Sequence, residues 1–369
     1  MTPRAIVVLA LFSVVNIASR ILAPLLKLTR SSPAVSALSA VAIAWRFAYS
    51  NQVGAVMVAG SFGDLVDARF REIQAEDREL KRDRDMIPFL WSVTPPATPM
   101  RPDERYSEVS GLARAGQFTG SLDYAAFYQG YDATATYVEF GQGVQIERPL
   151  VEYDQFNIID ERARALFDSM WRRVQFDGQR FLRNLFSVDT FFYSHTEGVA
   201  LASNSHTTTT GASTSAGFDN LAIAALSATA VTSAQIQMRG FRDLQAEPIQ
   251  AVGDTLIIPI DLYETGYEIV ASLGKVDTAQ NNPNVHYGAY TLITLPNKVD
   301  FPDVNDWAMV DSTIWKRYAH WFYQVWPGGG PEFGSAEEFD TFIAKYRSYA
   351  RYTNIIRKWQ GILGSQVSG

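Results

Sequence analysis

Four histidines, His195, His206, His286 and His320, are the side chains best suited to proton transfer in a 369-residue chain that has no cysteine. Two of them bracket a polar stretch, Val199 to Asn220, VALASNSHTTTTGASTSAGFDN, in which Ser203 and Ser205 sit beside His206. Serine next to histidine raises the question of nucleophilic catalysis. A triad, however, depends on three-dimensional geometry that sequence neighbours rarely supply. No G-x-S-x-G elbow, Walker loop or dinucleotide-binding glycine fingerprint is present. No two histidines have zincin spacing, and the missing cysteines exclude thiolate zinc sites, disulfides and thiol nucleophiles. The stretch 203–217 therefore reads as a polar connector whose hydroxyls and ring satisfy local backbone groups.

Two other groupings could carry chemistry. Glu147 and Glu152 flank Arg148, where a surface ion pair is the plainer account of a carboxylate pair. Trp307, Trp315, Trp321 and Trp326 crowd one region and could form a sugar platform, but tryptophan in a strand-rich core is the commoner arrangement and the preferred reading. No catalytic residue, metal ligand or cofactor-binding residue is identified. With 32 basic and 39 acidic residues the net charge is −7, the wrong sign for a protein that grips phosphates.

The elements that position these residues come from periodicity and punctuation. Ala5–Ala18 is an apolar run, and the first 56 residues as a whole form a hydrophobic extension. It reads as a signal sequence, as an anchor or ordered arm, or as an extension ahead of a start at Met57. From Ser61 an amphipathic, charge-dense helix is expected, with Leu65, Phe70, Ile73 and Leu80 as apolar anchors, Arg82–Asp85 as a solvated face and Pro88 as its end. Glu104–Leu150 is strand-like, and YDATATYVEFGQGVQIERPLV alternates as in a two-stranded ribbon. A ribbon of this length has too little core to stand alone, and its aromatics imply a partner surface.

A single long helix is expected from an Asn157 N-cap to Phe186, roughly 40 Å in all, with Gly178 a point of weakness. A second helix is expected to start at an Asp219 cap, run through Leu221, Ala224, Ala225, Ala228, Val231 and Ile236, and stop at Gly240 in the left-handed region. Strands are expected in DTLIIPIDL, HYGAYTLITLP and VNDWAMVDS, and a short helix in YETGYEIVASLG. GKVDTAQNNPN reads as a polar loop, Gly328–Gly330 as a hinge, and the last segment as helical at first and then a strand. The order is α+β, without the βαβ alternation of a nucleotide-binding sheet.

Several segments resemble, in order, the major capsid proteins of tailed bacteriophages with the Hong Kong 97-type fold, and within them the Mu-like major head subunit group. They include SFGDLVDARFREI, YSEVSGLARAGQFTGSLDYAAFYQGYDATATYVEFGQGVQIERPLVEYDQFNIID, EGVALASNSH and GFDNLAIAALSATAVTSAQIQMRGFRDLQ. GDTLIIPIDLYETGYEIVASLGKVDTAQNNPN, NDWAMVDS and EEFDTFIAKYRSYARY complete the set, which runs from about Ser61 to Gln366. The resemblance implies an N-terminal arm (57–103), an extended E-loop (104–150) and a P-domain with a spine helix (151–215). An axial A-domain follows (216–335), and a C-terminal segment (336–369) completes the P-domain.

It further implies pentamers and hexamers closing into an icosahedral shell around double-stranded DNA, held without specific binding. Separate scaffolding and portal proteins, and cement proteins in some shells, are the implied partners. The implied location is the virion, assembled in the host cytoplasm and free of membrane when mature. Tyr124, Phe127, Tyr128, Tyr131, Tyr137 and Phe140 are the E-loop residues expected at subunit interfaces. Rival readings are an encapsulin-type compartment, which shares the fold, and a membrane-anchored or secreted enzyme, which needs a catalytic set that is not found.

Overall fold

The computed structural model of the chain describes residues 62–95, 98–120, 122, 124, 126–147, 158–274, 283–296, 300–326, 330–338 and 343–367. The chain divides into units Met1–Asp64 and Leu65–Gly369, and of the first only the start of one helix is described. The extension 1–56, Asn157, Glu152, the loop 275–282 and most of the glycine hinge lie outside the described residues.

Helix α1 (Phe62–Lys81) buries Phe70 and Ile73, as their spacing predicts, but leaves Leu80 72% exposed. Its end comes earlier than expected. A 3-10 turn covers Arg82–Arg84, and Asp85 caps a new short helix, α2 (Ile87–Leu90), by accepting from the Ile87 N–H at 3.0 Å. Pro88 therefore sits in the first turn of α2, where its missing N–H costs nothing, and does not terminate α1.

Strand β1 (Ser92–Thr94) leads to β2 (Asp103–Val109), β3 (Gln129–Thr136) and β4 (Val138–Glu147). The two-stranded ribbon is β2 against β3, and β3 and β4 are not partners. Tyr137 is the point of departure, since β3 pairs with β5 (Tyr193–His195) while β4 crosses to another sheet. The alternation read across both strands is real, but it serves two different sheets.

The long helix is α3 (Ile158–Gly178), and a separate turn, α4 (Arg180–Arg183), follows it. Packing breaks it at Gly178. A Cβ there would lie 2.2 Å from Ile87 Cδ1, and the Gly178 carbonyl accepts from Trp91 Nε1 at 2.8 Å. Beyond the break three-residue bonds, Leu182 N–H to Gln179 at 3.1 Å and Leu185 N–H to Leu182 at 3.2 Å, mix with four-residue ones such as Asn184 N–H to Arg180 at 3.0 Å.

Asp219 does not cap a helix. Its carboxylate accepts from the Leu221 N–H at 2.9 Å in a local turn, and Leu221–Ala222 form the short strand β6. The helix begins later, as α5 (Ala228–Arg239), with Ser227 accepting from the Ala230 N–H. Gly240 lies in the right-handed region at φ −82°. Strand β7 (Thr255–Ile258), helix α6 (Tyr263–Ala271), strand β8 (Thr291–Thr294) and strand β9 (Trp307–Val310) fall where the sequence puts them. Pro259 follows the last residue of β7, as a residue without a donor must.

Helix α7 (Ser312–Tyr318) and strand β10 (Ala319–Val325) come next, followed by β11 (Glu332–Glu338), β12 (Ile343–Ile356) and β13 (Ile362–Ser365). Of the last segment, expected to begin helical at Glu337, Glu337 and Glu338 end β11, residues 339–342 lie outside the described residues, and from Ile343 the chain is β12, the antiparallel partner of β11. Fourteen residues of β12 organise the first sheet, with β10 and β11 along one side and β4 along the other. The second sheet has the order β6-β13-β9-β7-β8, and the third is β2-β3-β5.

One core joins α2, α3 and α4 to the first sheet through Trp91, Phe181, Trp315, Trp321 and Tyr352. A second packs α5 and α6 on the second sheet around Trp307, Met309 and Trp359. The clustered tryptophans are therefore core residues, Trp307, Trp315 and Trp321 being buried and Trp326 stacked on Tyr323. At the centre of the first core, Tyr352 Oη donates to the buried Asp177 carboxylate at 2.7 Å, and Arg173 Nε donates to the same oxygen at 2.8 Å. Burial pushes the Asp177 carboxyl above its ordinary value, against the pull of Tyr352 and Arg173. Tyr352→Phe should therefore leave a buried acceptor short of a donor and cost about 1–3 kcal/mol, read from the urea unfolding midpoint.

Candidate assembly surfaces

Strands β2 and β3 rise from the body of the subunit as an anchored ribbon. Ala133 and Ala135 pack on Phe322 and Ile355, and Tyr106 stacks on Phe322 at 6.4 Å. The Arg357 guanidinium lies 4.7 Å over the Tyr106 ring, and Lys358 pairs with Glu108 at 2.6 Å. Ser110 and Tyr128 close the ribbon by two bonds, Ser110 N–H to the Tyr128 carbonyl at 2.9 Å and Tyr128 N–H to Ser110 Oγ at 3.0 Å.

Past this closure the described residues of 111–127 are all exposed and form no helix or strand. Gln245 Nε2 holds only the start of the loop, at the Gly111 carbonyl (2.8 Å), and Arg114 reaches Glu247 at 3.0 Å. The rest carries large apolar side chains into solvent, including Tyr124 at 88% and Phe127 at 67% exposure. Such a cluster on one loop differs from the singly scattered apolar side chains of an ordinary surface.

The six aromatics expected at interfaces divide into two groups. Tyr124, Phe127 and Tyr128 are exposed. Tyr131, Tyr137 and Phe140 are half-buried in their own subunit. Tyr131 Oη lies 2.5 Å from Thr207 Oγ1, and Tyr137 Oη donates to Glu104 at 3.0 Å. Phe140 stacks on Tyr352 at 4.8 Å beneath the Arg173 guanidinium. Burial and the Glu104 bond push the Tyr137 hydroxyl far above its usual value. Leu112, Phe118 and Leu122 join the exposed set. Their signal in the sequence is an apolar residue in each interval between Gly111, Gly116 and Gly120 and the aromatics that follow.

The histidines have partners other than the neighbouring serines. Ser203 and Ser205 hydroxyls bond each other at 2.9 Å, and His206 turns instead to Glu197 and Asn220. The connector is held by its threonines, Thr208 and Thr210 donating to the Leu244 carbonyl and Thr209 to that of Gln129. His195 lies at the end of β5, with Nε2 3.3 Å from the Arg357 carbonyl. His286 sits between Thr232 and Tyr290. Among the described residues no three histidines or acids gather as a metal site.

His320 stands at the foot of the ribbon, Nε2 2.6 Å from Arg357 and Nδ1 3.0 Å from Thr94. Burial, with the Arg357 guanidinium beside it, holds this ring below the usual imidazole range.

The chain is thus α+β, with two sheets packed by helices, an anchored ribbon and an apolar loop exposed beyond the core. Residues 131–364 match the phage capsid protein family, and the chain belongs to that family. No curated protein sequence matches it significantly.

Among solved structures it is similar to the capsid of Myoviridae phage XM1, at 9% identity and a TM-score of 0.46, over 75% of this chain and 90% of that one. The capsid of Ralstonia phage GP4 is similar at 10% identity and a TM-score of 0.46, over 75% and 88%. Mycobacterium phage Adephagia gives 10% identity and 0.44, over 77% and 90%. Among the described residues no helix is long and apolar enough to cross a membrane.

The depressed ring sets the sign of a pH dependence. A neutral His320 contributes stability that is fully present above the ordinary imidazole value of about 6.5 and is lost as pH falls through the lower native value. His320→Gln should therefore reduce the drop in melting temperature between pH 7 and pH 5, measured by thermal unfolding.

Proposed function

We propose that the chain is the major capsid protein of a tailed bacteriophage or prophage, with the Hong Kong 97-type plan. The arm would span 57–103, the E-loop 104–150, the P-domain 151–215 and the A-domain 216–335. The C-terminal segment 336–369 would complete the P-domain with β12 and reach the second sheet through β13. Membership of the Mu-like group rests on the segment resemblance. Copies assemble as pentamers and hexamers into an icosahedral shell enclosing double-stranded DNA. Scaffolding, portal and cement functions belong to separate proteins, and assembly takes place in the host cytoplasm.

One observation carries this reading beyond family membership: among the described residues, those of the apolar loop 111–127 are all exposed. Leu112, Phe118, Leu122, Tyr124 and Phe127 lie over a neighbour in the assembled shell. Full burial of a large apolar side chain is worth about 1.5–3 kcal/mol, a gain repeated at every subunit of a closed ring. The ribbon supplies reach, and its anchoring by Glu108, Tyr106 and Tyr137 supplies direction.

Because the Ser110–Tyr128 pair closes the ribbon below the loop, the loop can be shortened without touching the core. Replacing 112–126 by a short Gly-Ser turn should leave the urea midpoint within about 0.5 kcal/mol of wild type, as expected away from packed features. The same variant should abolish shells seen by negative-stain electron microscopy. Shells of normal size from it would contradict the proposal.

No lysine occurs between Lys81 and Lys275, so the E-loop has no amine to link to a neighbour. The shell is held without covalent bonds between subunits. Boiled in detergent, purified particles should run as monomer, and a ladder of oligomers would contradict this.

A further inference from the structure

His206 is 3% exposed, and both of its ring nitrogens face oxygen acceptors. Nε2 lies 3.1 Å from Asn220 Oδ1. The orientation of that amide is fixed, because its nitrogen donates to the carbonyls of Leu201 at 2.8 Å and Ile362 at 3.0 Å. Its oxygen also accepts from the Ser203 N–H at 2.8 Å. Nε2 must therefore carry a proton.

On the other side, Nδ1 lies 3.1 Å from Glu197 Oε1, which also accepts from the Thr207 N–H at 2.9 Å. A neutral ring protonated at Nε2 would set the Nδ1 lone pair against this carboxylate. A proton on Glu197 could relieve the clash. Against that, Oε1, the atom facing Nδ1, already accepts the Thr207 N–H, as a carboxylate oxygen does. The second proton thus belongs to the ring. The ring also lies flat on Trp359, with centroids 4.3 Å apart and planes 8° from parallel, a favourable seat for a cation.

We infer that His206 is a buried imidazolium, and that this charged ring is the clasp fastening the connector 199–220 to the turn between β12 and β13. Glu197, Asn220 and Trp359 are its three jaws, drawn from the start of the connector, its end and the C-terminal turn. The clasp loosens as the ring gives up its second proton. The neighbouring titratable and charged groups, His195, Lys358 and Arg180, have partners of their own. His195 accepts the Glu197 N–H at Nδ1, Lys358 pairs with Glu108, and Arg180 pairs with Asp189. Asn220 passes the hold on to Ile362, the first residue of β13, so the clasp ties the connector to the second sheet.

Thermal unfolding of the purified full-length chain between pH 6 and pH 9 tests the inference, beside His206→Gln and Glu197→Gln. The native state holds a proton that the unfolded chain releases, so stability from this ring declines as pH rises. The wild-type melting temperature should fall by about 3 °C or more relative to His206→Gln across this range. A gap between the two that does not change with pH overturns the inference.

Glu197→Gln keeps the ring and its stack but removes the carboxylate that retains the second proton. Its alkaline fall should begin at lower pH, and a curve superimposable on wild type overturns the inference. A direct readout needs no variant. Nitrogen NMR of the histidine rings at pH 7 should show both His206 nitrogens protonated in the native chain, and a bare Nδ1 overturns the inference.

Discussion

Everything in this subunit is referred to the alternation along β12. Ala344, Tyr346, Ser348, Ala350 and Tyr352 turn inward at every second position, and Arg347 between them is exposed. Because the side-chain period of a strand is two, a slip of one residue would expose the whole inner row, so the register is tightly specified. That fixed register places β10 and β11 on one side and β4 on the other. It also fixes Tyr346 under Phe70 of α1 and Tyr352 against Asp177 of α3. The strand then runs on through Arg357, Lys358 and Trp359, which hold the ribbon and the connector, before β13 enters the second sheet.

Rigidity at the base gives the exposed loop its meaning. An apolar loop on a loosely held hairpin would fold back on its own subunit or aggregate without order. Here a largely buried ion pair, a cation over Tyr106 and the Phe322–Ile355 packing fix the ribbon's exit from the body. The described residues of the loop beyond Ser110 keep their large side chains in solvent, uncovered by any other described residue. The acidic balance of the chain, at −7, is consistent with a wall that neither grips nor specifically reads nucleic acid.

Much of this was legible in the sequence because it follows from local rules. Buried apolar strands such as TLII and WAMV declare themselves, and Pro259 marks where one must stop. The aromatics of the ribbon and its loop were legible as a group, and Tyr124, Phe127 and Tyr128 among them are exposed. What stayed hidden depends on contacts between distant segments. The long helix stops at Gly178 because Trp91, some ninety positions earlier, takes the Gly178 carbonyl that the next turn would use, and Ile87 beside it leaves room only for glycine. Strands β3 and β4 look like one hairpin because alternation cannot say which partner each strand takes.

At the connector, sequence proximity suggested a pairing of His206 with Ser203 or Ser205. The structure gives the ring Glu197, Asn220 and Trp359, the last over 150 positions away. Likewise, Tyr137 and Phe140 share the composition of the exposed aromatics, yet Glu104 and Tyr352 engage them within the subunit. Residue type marks an interface candidate, and only tertiary neighbours decide whether it is already occupied.

The central claim is that the loop 111–127 is completed by a sister subunit. Hydrogen–deuterium exchange of its backbone, compared between unassembled subunits and purified particles, measures this most directly. Slowed exchange across the loop in particles, with β12 equally protected in both states, is the predicted result. Equal, rapid exchange of the loop in both states would contradict the account.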